Sequence, residues 1–354
     1  MNIQEGHKIG VALSSGGASS LAQIGALEAL LEAGIPIDVV AGTSGGSVVG
    51  AVLAAGKLAP FREAVSAFTP RRIFGLFSFV WTRGALLELG PALDFTRPFV
   101  TERIEDLPKR FAAVAVDLAT GDEVVIRTGA VSEAIRASCA IPGVFPPRQN
   151  DGRWLADGAL ANPVPVDVAR DLGAHFVIAI NSLFVDRSHA ERFSRECAPT
   201  KTGLRELLAV AFRRDVVADL EQASMEGAIE PAAKSSEALR WLAVLAQATR
   251  IVQCRIAAAR LRQAPPDASI NIAAGDVGVF DFHRATDLID LGREAAKAAL
   301  PDIHLALETR WPVRRRLHQW WRAAGRATDR AANGSPLDVL KTIRHRLTTA
   351  SPVA

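Results

Sequence analysis

Twice in its first 55 residues the chain runs from a short apolar stretch into a turn of small residues and out into a helical pattern. KIGVALS (8–14) reads as a buried strand and leads into the loop SSGGASS. LAQIGALEALLEAG then sets Leu21, Ile24, Leu27, Leu30 and Leu31 at helical spacing and stops at Gly34. IDVVAG is a second strand, AGTSGGS (41–47) a second turn, and GSVVGAVLAAG a second helix. Strand–loop–helix repeated over so short a span has one natural product, a parallel sheet with helices packed on its faces. That constraint precedes any question of chemistry.

The pattern continues downstream. FAAVAVDLATGDEVVIRTG (111–129) predicts a hairpin around Thr120-Gly121-Asp122, and VSEAIRASCAIPGVFPP starts as a helix that ends at Pro142. GRWLADGALANPVPVDVARDLGA passes from a strand through a turn at Asp157-Gly158 into a helix, and HFVIAINS returns to the sheet. Residues 186–203 are polar and read as a loop. Helical stretches follow at 204–227 and 235–263, then a last strand INIAA (270–274) and the helix ATDLIDLGREAAKAAL, which closes the compact part near residue 300. The aromatic run IFGLFSFVW (73–81) suits the lining of an apolar channel or a lid.

The second turn carries the sharpest chemical signal. Gly42-x-Ser44-x-Gly46 fits a nucleophile elbow, a strained strand-to-helix turn that exposes a serine hydroxyl. Acyl transfer by serine also needs donors for the oxyanion and a base for the hydroxyl proton. The loop at Gly16 and Gly17 lies where the first strand hands over to a helix, so its backbone N–H groups point outward into a favourable dipole. In a parallel sheet both turns leave the same carboxyl edge. SSGGASS lacks the Lys-Ser/Thr of a P-loop and the GxGxxG spacing, which argues against a nucleotide site.

The base is open between histidine and carboxylate. None of the seven histidines sits in a Gly-rich or strained turn, although His283 or His304 completes a Ser-Asp-His triad on one reading. Asp157 ends an apolar strand at an Asp-Gly turn, where partial desolvation raises a carboxylate toward working pH. An ordinary Asp-Gly turn reads the same.

Composition narrows the setting. Three well-separated cysteines with no CxxC point to a reducing compartment and away from a zinc site, and no apolar run is long enough to span a bilayer. The N-terminus shows no secretory pattern, so a cytoplasmic protein, or one peripheral at the inner membrane, is expected. Ten of the 41 Lys/Arg but only two of the 38 Asp/Glu lie from Arg310 onward, leaving 31 basic and 36 acidic side chains before it. Residues 301–354 are therefore expected to form a basic helical extension to a mildly acidic body. Within Arg314–Arg326, Leu317, Trp320, Trp321 and Ala324 share one helical face with arginines on the others, a pattern that suits an anionic membrane surface. No nucleic-acid module is recognisable.

Four blocks together resemble the patatin-like phospholipase family: GVALSSGGASSLAQIGALEALLEAGI, VVAGTSGGSVVGA, ASCAIPGVFPP and LADGALANPVPV, in that order. The likeness covers residues 8 to about 300, with 186–262 its weakest part, a helical insertion. It implies a three-layer α/β/α fold with a mostly parallel sheet and lipid acyl hydrolysis by a Ser-Asp dyad, with no cofactor and no metal. Carried over by residue, it makes Ser44 the nucleophile, Asp157 the base and the N–H groups of Gly16 and Gly17 the oxyanion donors. Gly42, Gly46 and Gly158 support the two turns. The family's GGGxRG loop is altered here, with serines at 15 and 20 and Ser19 at the arginine position. A protein that kept the fold as a non-catalytic lipid binder is the alternative.

Overall fold

The computed structural model describes residues 7–82, 85–100, 103–183, 236–275 and 277–310. The loop expected over 186–203, the helix expected over 204–227 and the Arg314–Arg326 stretch lie outside these residues.

An eight-stranded sheet forms the centre. Its parallel part runs in the order β10 (Ala268–Asn271), β9 (Phe176–Asn181), β1 (Ile9–Leu13), β2 (Val39–Thr43) and β5 (Arg110–Asp117). β6 (Glu123–Ile126) and β8 (Arg153–Asp157) pair antiparallel with β5, and β7 (Arg148–Asn150) pairs antiparallel with β8. A separate two-stranded ribbon joins β3 (Ser78–Thr82) to β4 (Ala85–Glu88). The expected hairpin at 111–129 is therefore present as β5–β6. The aromatic run 73–81 divides between a short helix, α4 (Pro70–Phe74), and β3. Its uniform apolarity gave no period by which the two could be told apart.

Every residue of β1, β2 and β9 is buried, as strands covered on both faces require. Alternation sorts the faces. Ala12, Val39, Ala41, Ala112, Val114, Val177 and Ala179 pack with Val166, Val168 and Ala169 of α7 (Val166–Asp171) and with Ala257 of α8 (Ser236–Gln263). On the opposite face Leu13, Val40 and Phe111 close around Gly50 of α2 (Gly45–Ala54). Helix, sheet and helix make the three-layer α/β/α arrangement.

α1 (Ala22–Glu32) and α9 (Ala285–Arg310) cross at two glycines. A Cβ on Gly25 would run into the carbonyl of Ile289, and one on Gly292 into the carbonyl of Ala22. Only glycine lets the two backbones approach so closely. Arg293 locks the crossing with Glu28 and Glu32, at 2.5 and 2.7 Å. α6 (Val131–Ser138) stops four residues before the Pro142 at which the sequence placed its end, and its last residue proves important below. The chain divides into two compact units, Met1–Pro301 and Asp302–Ala354, with the division falling inside α9.

Candidate active site

Ser44 sits between the end of β2 and the start of α2 with φ of 54° and ψ of −126°, a strained conformation for a residue with a side chain. The flanking glycines explain how the turn closes. A Cβ on Gly42 would strike the Gly46 carbonyl, and one on Gly46 would lie 2.5 Å from the carbonyl oxygens of Leu13 and Ser14. The turn packs backbone on backbone, and only glycine fits at either position.

Hydrogen bonds hold the strain in place. The Ser44 N–H donates to Ser138 Oγ at 2.8 Å, and Ser138 Oγ donates to the Val114 carbonyl at 2.6 Å. Because the one hydroxyl proton of Ser138 is committed to β5, its lone pairs face Ser44. On the other side Ser47 Oγ donates to the Ser44 carbonyl at 2.7 Å. Both peptide groups around Ser44 are thus fixed, leaving its side chain to act.

Ser44 Oγ donates to Asp157 Oδ2 at 2.7 Å, across 113 residues of sequence. Asp157 closes β8, and its Oδ1 accepts from the Ala159 N–H at 2.9 Å. A Cβ on Gly158 would meet the Val114 carbonyl, so the Asp-Gly turn can lie against β5 only with glycine there. Burial pushes the Asp157 carboxyl up to about 6, and the bonds from Ser44 and Ala159 limit the rise. The serine meets the carboxylate directly, with no imidazole between them. His283 lies in the 3₁₀ turn Phe282–Arg284 and His304 on α9, and the side-chain bonds of Asp157 run to Ser44 and Ala159. Cys139 is also close, with Sγ 3.9 Å from Ser47 Oγ. Burial and then the Asp157 carboxylate drive its thiol far above the ordinary range, so it stays protonated.

The loop 14–20 is tied from inside by its serines. Ser14 Oγ donates to the Ser15 carbonyl at 2.9 Å, Ser19 Oγ to the Gly16 carbonyl at 2.8 Å, and Ser20 Oγ to the Gly17 carbonyl at 2.6 Å. Gln23, fully buried, donates to the Ser14 carbonyl at 2.7 Å. A trans peptide sets its C=O and the next N–H in opposite directions. Holding the carbonyls of Ser15 and Gly16 inward therefore turns the N–H groups of Gly16 and Gly17 outward. Ser15 and Ala18 give their own N–H groups to Pro163 and Val279, so among the described residues the loop's open donors are those of the two glycines. Gly17 has φ of 57° and lies under Val279, whose carbonyl would be 2.7 Å from a Cβ there. Of the three serines that depart from the family loop, Ser19 and Ser20 thus supply internal ties.

Both turns open into one apolar cavity with about 840 Å³ of empty space, part of it at an open mouth. Gly17, Ser44 and Cys139 mark its polar end, and Phe61, Phe68, Phe95, Phe145, Phe280 and Phe282 line much of the rest. Leu76 and Phe77, from the aromatic run, line it as well. Among the described residues its wall carries no charged side chain. Among the same residues no three His, Cys, Asp or Glu side chains converge as a metal-binding group, and no helix is long and apolar enough to cross a membrane.

The sequence reading picked out Ser44, Asp157, Gly16 and Gly17; Ser44 and Gly17 line this cavity, Asp157 is bonded to Ser44, and Gly16 precedes Gly17 in the loop. It missed Ser138, Ser47 and, apart from Phe77 of the aromatic run, the phenylalanine wall. Ser138 stood in the block ASCAIPGVFPP, but a serine at a helix end has no local signature of its partner on another strand.

The family model for patatin-like phospholipase matches residues 11–170. An uncharacterized NTE family protein of Mycobacterium tuberculosis is 32% identical over 332 residues, covering 83% of this chain and 91% of that protein. The chain belongs to the patatin-like phospholipase family. A second NTE family protein of M. tuberculosis is 36% identical over 168 residues, 46% of this chain and 28% of the relative. The mouse patatin-like phospholipase domain-containing protein 6 is 34% identical over 195 residues, half of this chain but only 14% of that much longer protein. Patatin-like phospholipases are serine esterases and phospholipases, and membership points to lipid acyl hydrolysis.

Proposed function

We propose that this patatin-like protein hydrolyses acyl esters of lipids through a dyad of Ser44 and Asp157. The observation that carries the reading is the 2.7 Å bond from Ser44 Oγ to a buried carboxylate at the polar end of an apolar cavity. Ser44 Oγ attacks the ester carbonyl while Asp157 Oδ2 takes its proton. Negative charge then develops on the carbonyl oxygen and is met by the N–H groups of Gly16 and Gly17. The tetrahedral intermediate collapses as Asp157 returns the proton to the departing alkoxide, leaving an acyl-serine. Asp157 next draws a proton from water, which attacks the acyl group and releases the fatty acid with Ser44 restored. A carboxylate raised to about 6 suits both steps, since it is ionised at neutral pH yet more basic than an exposed aspartate. The acyl chain lies along the phenylalanine wall.

The test is turnover of a short p-nitrophenyl ester and a lysophospholipid by wild type, Ser44→Ala and Asp157→Asn, with a serine-directed phosphonate as an independent probe. Turnover lost in both variants, together with phosphonate on Ser44 of the wild type, is the expected result. A wild type that leaves every ester and the phosphonate untouched overturns the reading and makes the protein a lipid binder.

The arginine-rich stretch Arg314–Arg326 supports a peripheral association with anionic membrane, each basic residue contributing about 1 kcal/mol near such a surface.

A further inference from the structure

Arg260 lies in the 186–262 stretch, where the family resemblance is weakest, yet its side chain reaches the turn that follows Asp157. In the last turn of α8, it donates from Nε to the Ala161 carbonyl at 3.1 Å, from Nη1 to Asp167 Oδ2 at 3.3 Å and from Nη2 to Glu123 Oε2 at 2.8 Å. Asp167 belongs to α7 and Glu123 to β6, so one guanidinium fork joins four parts of the fold. Asn162, fully buried, holds the same two carboxylates. Its Nδ2 donates to Asp167 Oδ1 at 2.7 Å and to Glu123 Oε2 at 3.2 Å. Ionised carboxylates only accept, so they fix which way this amide faces, and its Oδ1 is left buried without a hydrogen bond.

These ties continue to Ser44 and Asp157. The N–H groups of Ala161 and Asn162 return to the Gly158 carbonyl at 3.0 and 2.8 Å, closing the turn after Asp157. The Asn162 carbonyl accepts from Thr43 Oγ1 at 2.8 Å, and Thr43 immediately precedes Ser44. β5 separates β2 from β8 in the sheet, and this bond spans the same gap outside the ladder. The spacing of Ser44 and Asp157 therefore has a second restraint, and it depends on where Asn162 is held. Charge makes that hold conditional. Burial first, and then the Asp167 charge, push the Glu123 carboxyl up, while Arg260 and Asn162 oppose the rise. Without Arg260, two carboxylates would repel each other around one uncharged amide.

We propose that Arg260 is a positioning residue, which sets the spacing of Ser44 and Asp157 from α8 by holding Ala161 and neutralising Glu123 and Asp167 around Asn162. Its effect on turnover rests on the dyad reading above. Arg260, Glu123, Asn162 and Asp167 stand apart from the lining of the apolar cavity, so the restraint acts on the reacting groups and not on the binding of substrate.

Turnover of a short p-nitrophenyl ester, together with amide hydrogen exchange, tests this on the full chain carrying Arg260→Met. The expected result is a kcat lower by about tenfold to a hundredfold with KM unchanged, since a misplacement of about 1 Å at a reacting group costs up to that much. Exchange should quicken around Ser44 and around Asp157 and stay as in wild type along α1, where a general loss of stability would also show. Adding Glu123→Gln removes the uncompensated charge and leaves an acceptor for Asn162, so the double variant should recover part of the lost kcat. An arginine that only fastened α8 to the body would gain nothing from losing its partner as well. In an active protein, an unchanged kcat, a KM that moves with kcat, or no recovery on Glu123→Gln overturns the proposal. A wild type that turns over no ester fails the dyad reading instead, and exchange then decides alone. Faster exchange confined to the two segments keeps Arg260 as their restraint, and unchanged exchange overturns it.

Discussion

Two turns leave the same edge of the sheet, one after β1 and one after β2, and they use their backbone in opposite ways. At Ser44 the N–H and C=O are both taken, by Ser138 and Ser47, so that a strained residue presents one side chain in one direction. In the 14–20 loop three of the four serine side chains are taken instead. Ser14, Ser19 and Ser20 hold carbonyls, and the N–H groups of Gly16 and Gly17 are left open. Both turns are built of glycine and serine. Composition alone does not tell a turn that presents a hydroxyl from one that presents backbone N–H groups; the direction of the hydrogen bonds does.

The largest test removes the presented side chain. Ser44→Ala should reduce ester turnover to background in a steady-state assay, and Asp157→Asn should lower kcat by about 10²–10⁴-fold. Substitution in the donor turn should cost less. Gly17→Ala places a methyl group against the Val279 carbonyl and shifts one N–H, with an expected loss of about 10²–10³ in kcat and smaller changes in KM. Equal KM and kcat effects at Gly17 would mean that the loop binds substrate and does not serve the transition state.

Asp157 gives a prediction with two signs. Activity needs its ionised form and should rise with pH through about 6, then level. Stability runs the other way. Between about pH 4 and 6 the folded chain holds the proton that the unfolded chain has released, so this group's contribution falls as pH rises across that window. Asp157→Asn keeps an acceptor for Ala159 and removes the charge. It should stabilise the fold at pH 8 relative to wild type by up to about 3 kcal/mol, seen as a higher melting temperature, with a narrower gap at pH 4. Melting curves at the two pH values check it.

Ser138→Ala strikes the comparison at its hinge, because it leaves the Ser44 N–H buried with no acceptor. A loss of about 1–3 kcal/mol in stability is expected, with phosphonate labelling of Ser44 slowed. Unchanged labelling would mean that the glycines alone fix the turn. The smallest effect concerns the tail. Trp320→Ala with Trp321→Ala should weaken sedimentation with anionic vesicles and leave turnover of a soluble ester as it was.

Much of this was legible locally. Strand, turn and helix alternate on short periods, and a Gly-x-Ser-x-Gly spacing says that a backbone must bend where only glycine can. The order of elements and the strained turn at Ser44 follow from residues within a few positions of one another. The helix end at Ser138 was read too late, since Pro142 marks a stop that the helix reaches before it is forced to.

What tertiary structure alone decided is everything that depends on distance through space. Ser44 and Asp157 are far apart in sequence and meet because β2 and β8 flank β5. The raised carboxyl is a property of its burial, which no neighbour in sequence reports. The cavity takes single phenylalanines from segments between Phe61 and Phe282, each unremarkable where it stands. Local sequence sets which way a backbone can turn. Desolvation and enclosure are collective, and they exist only once the layers have closed.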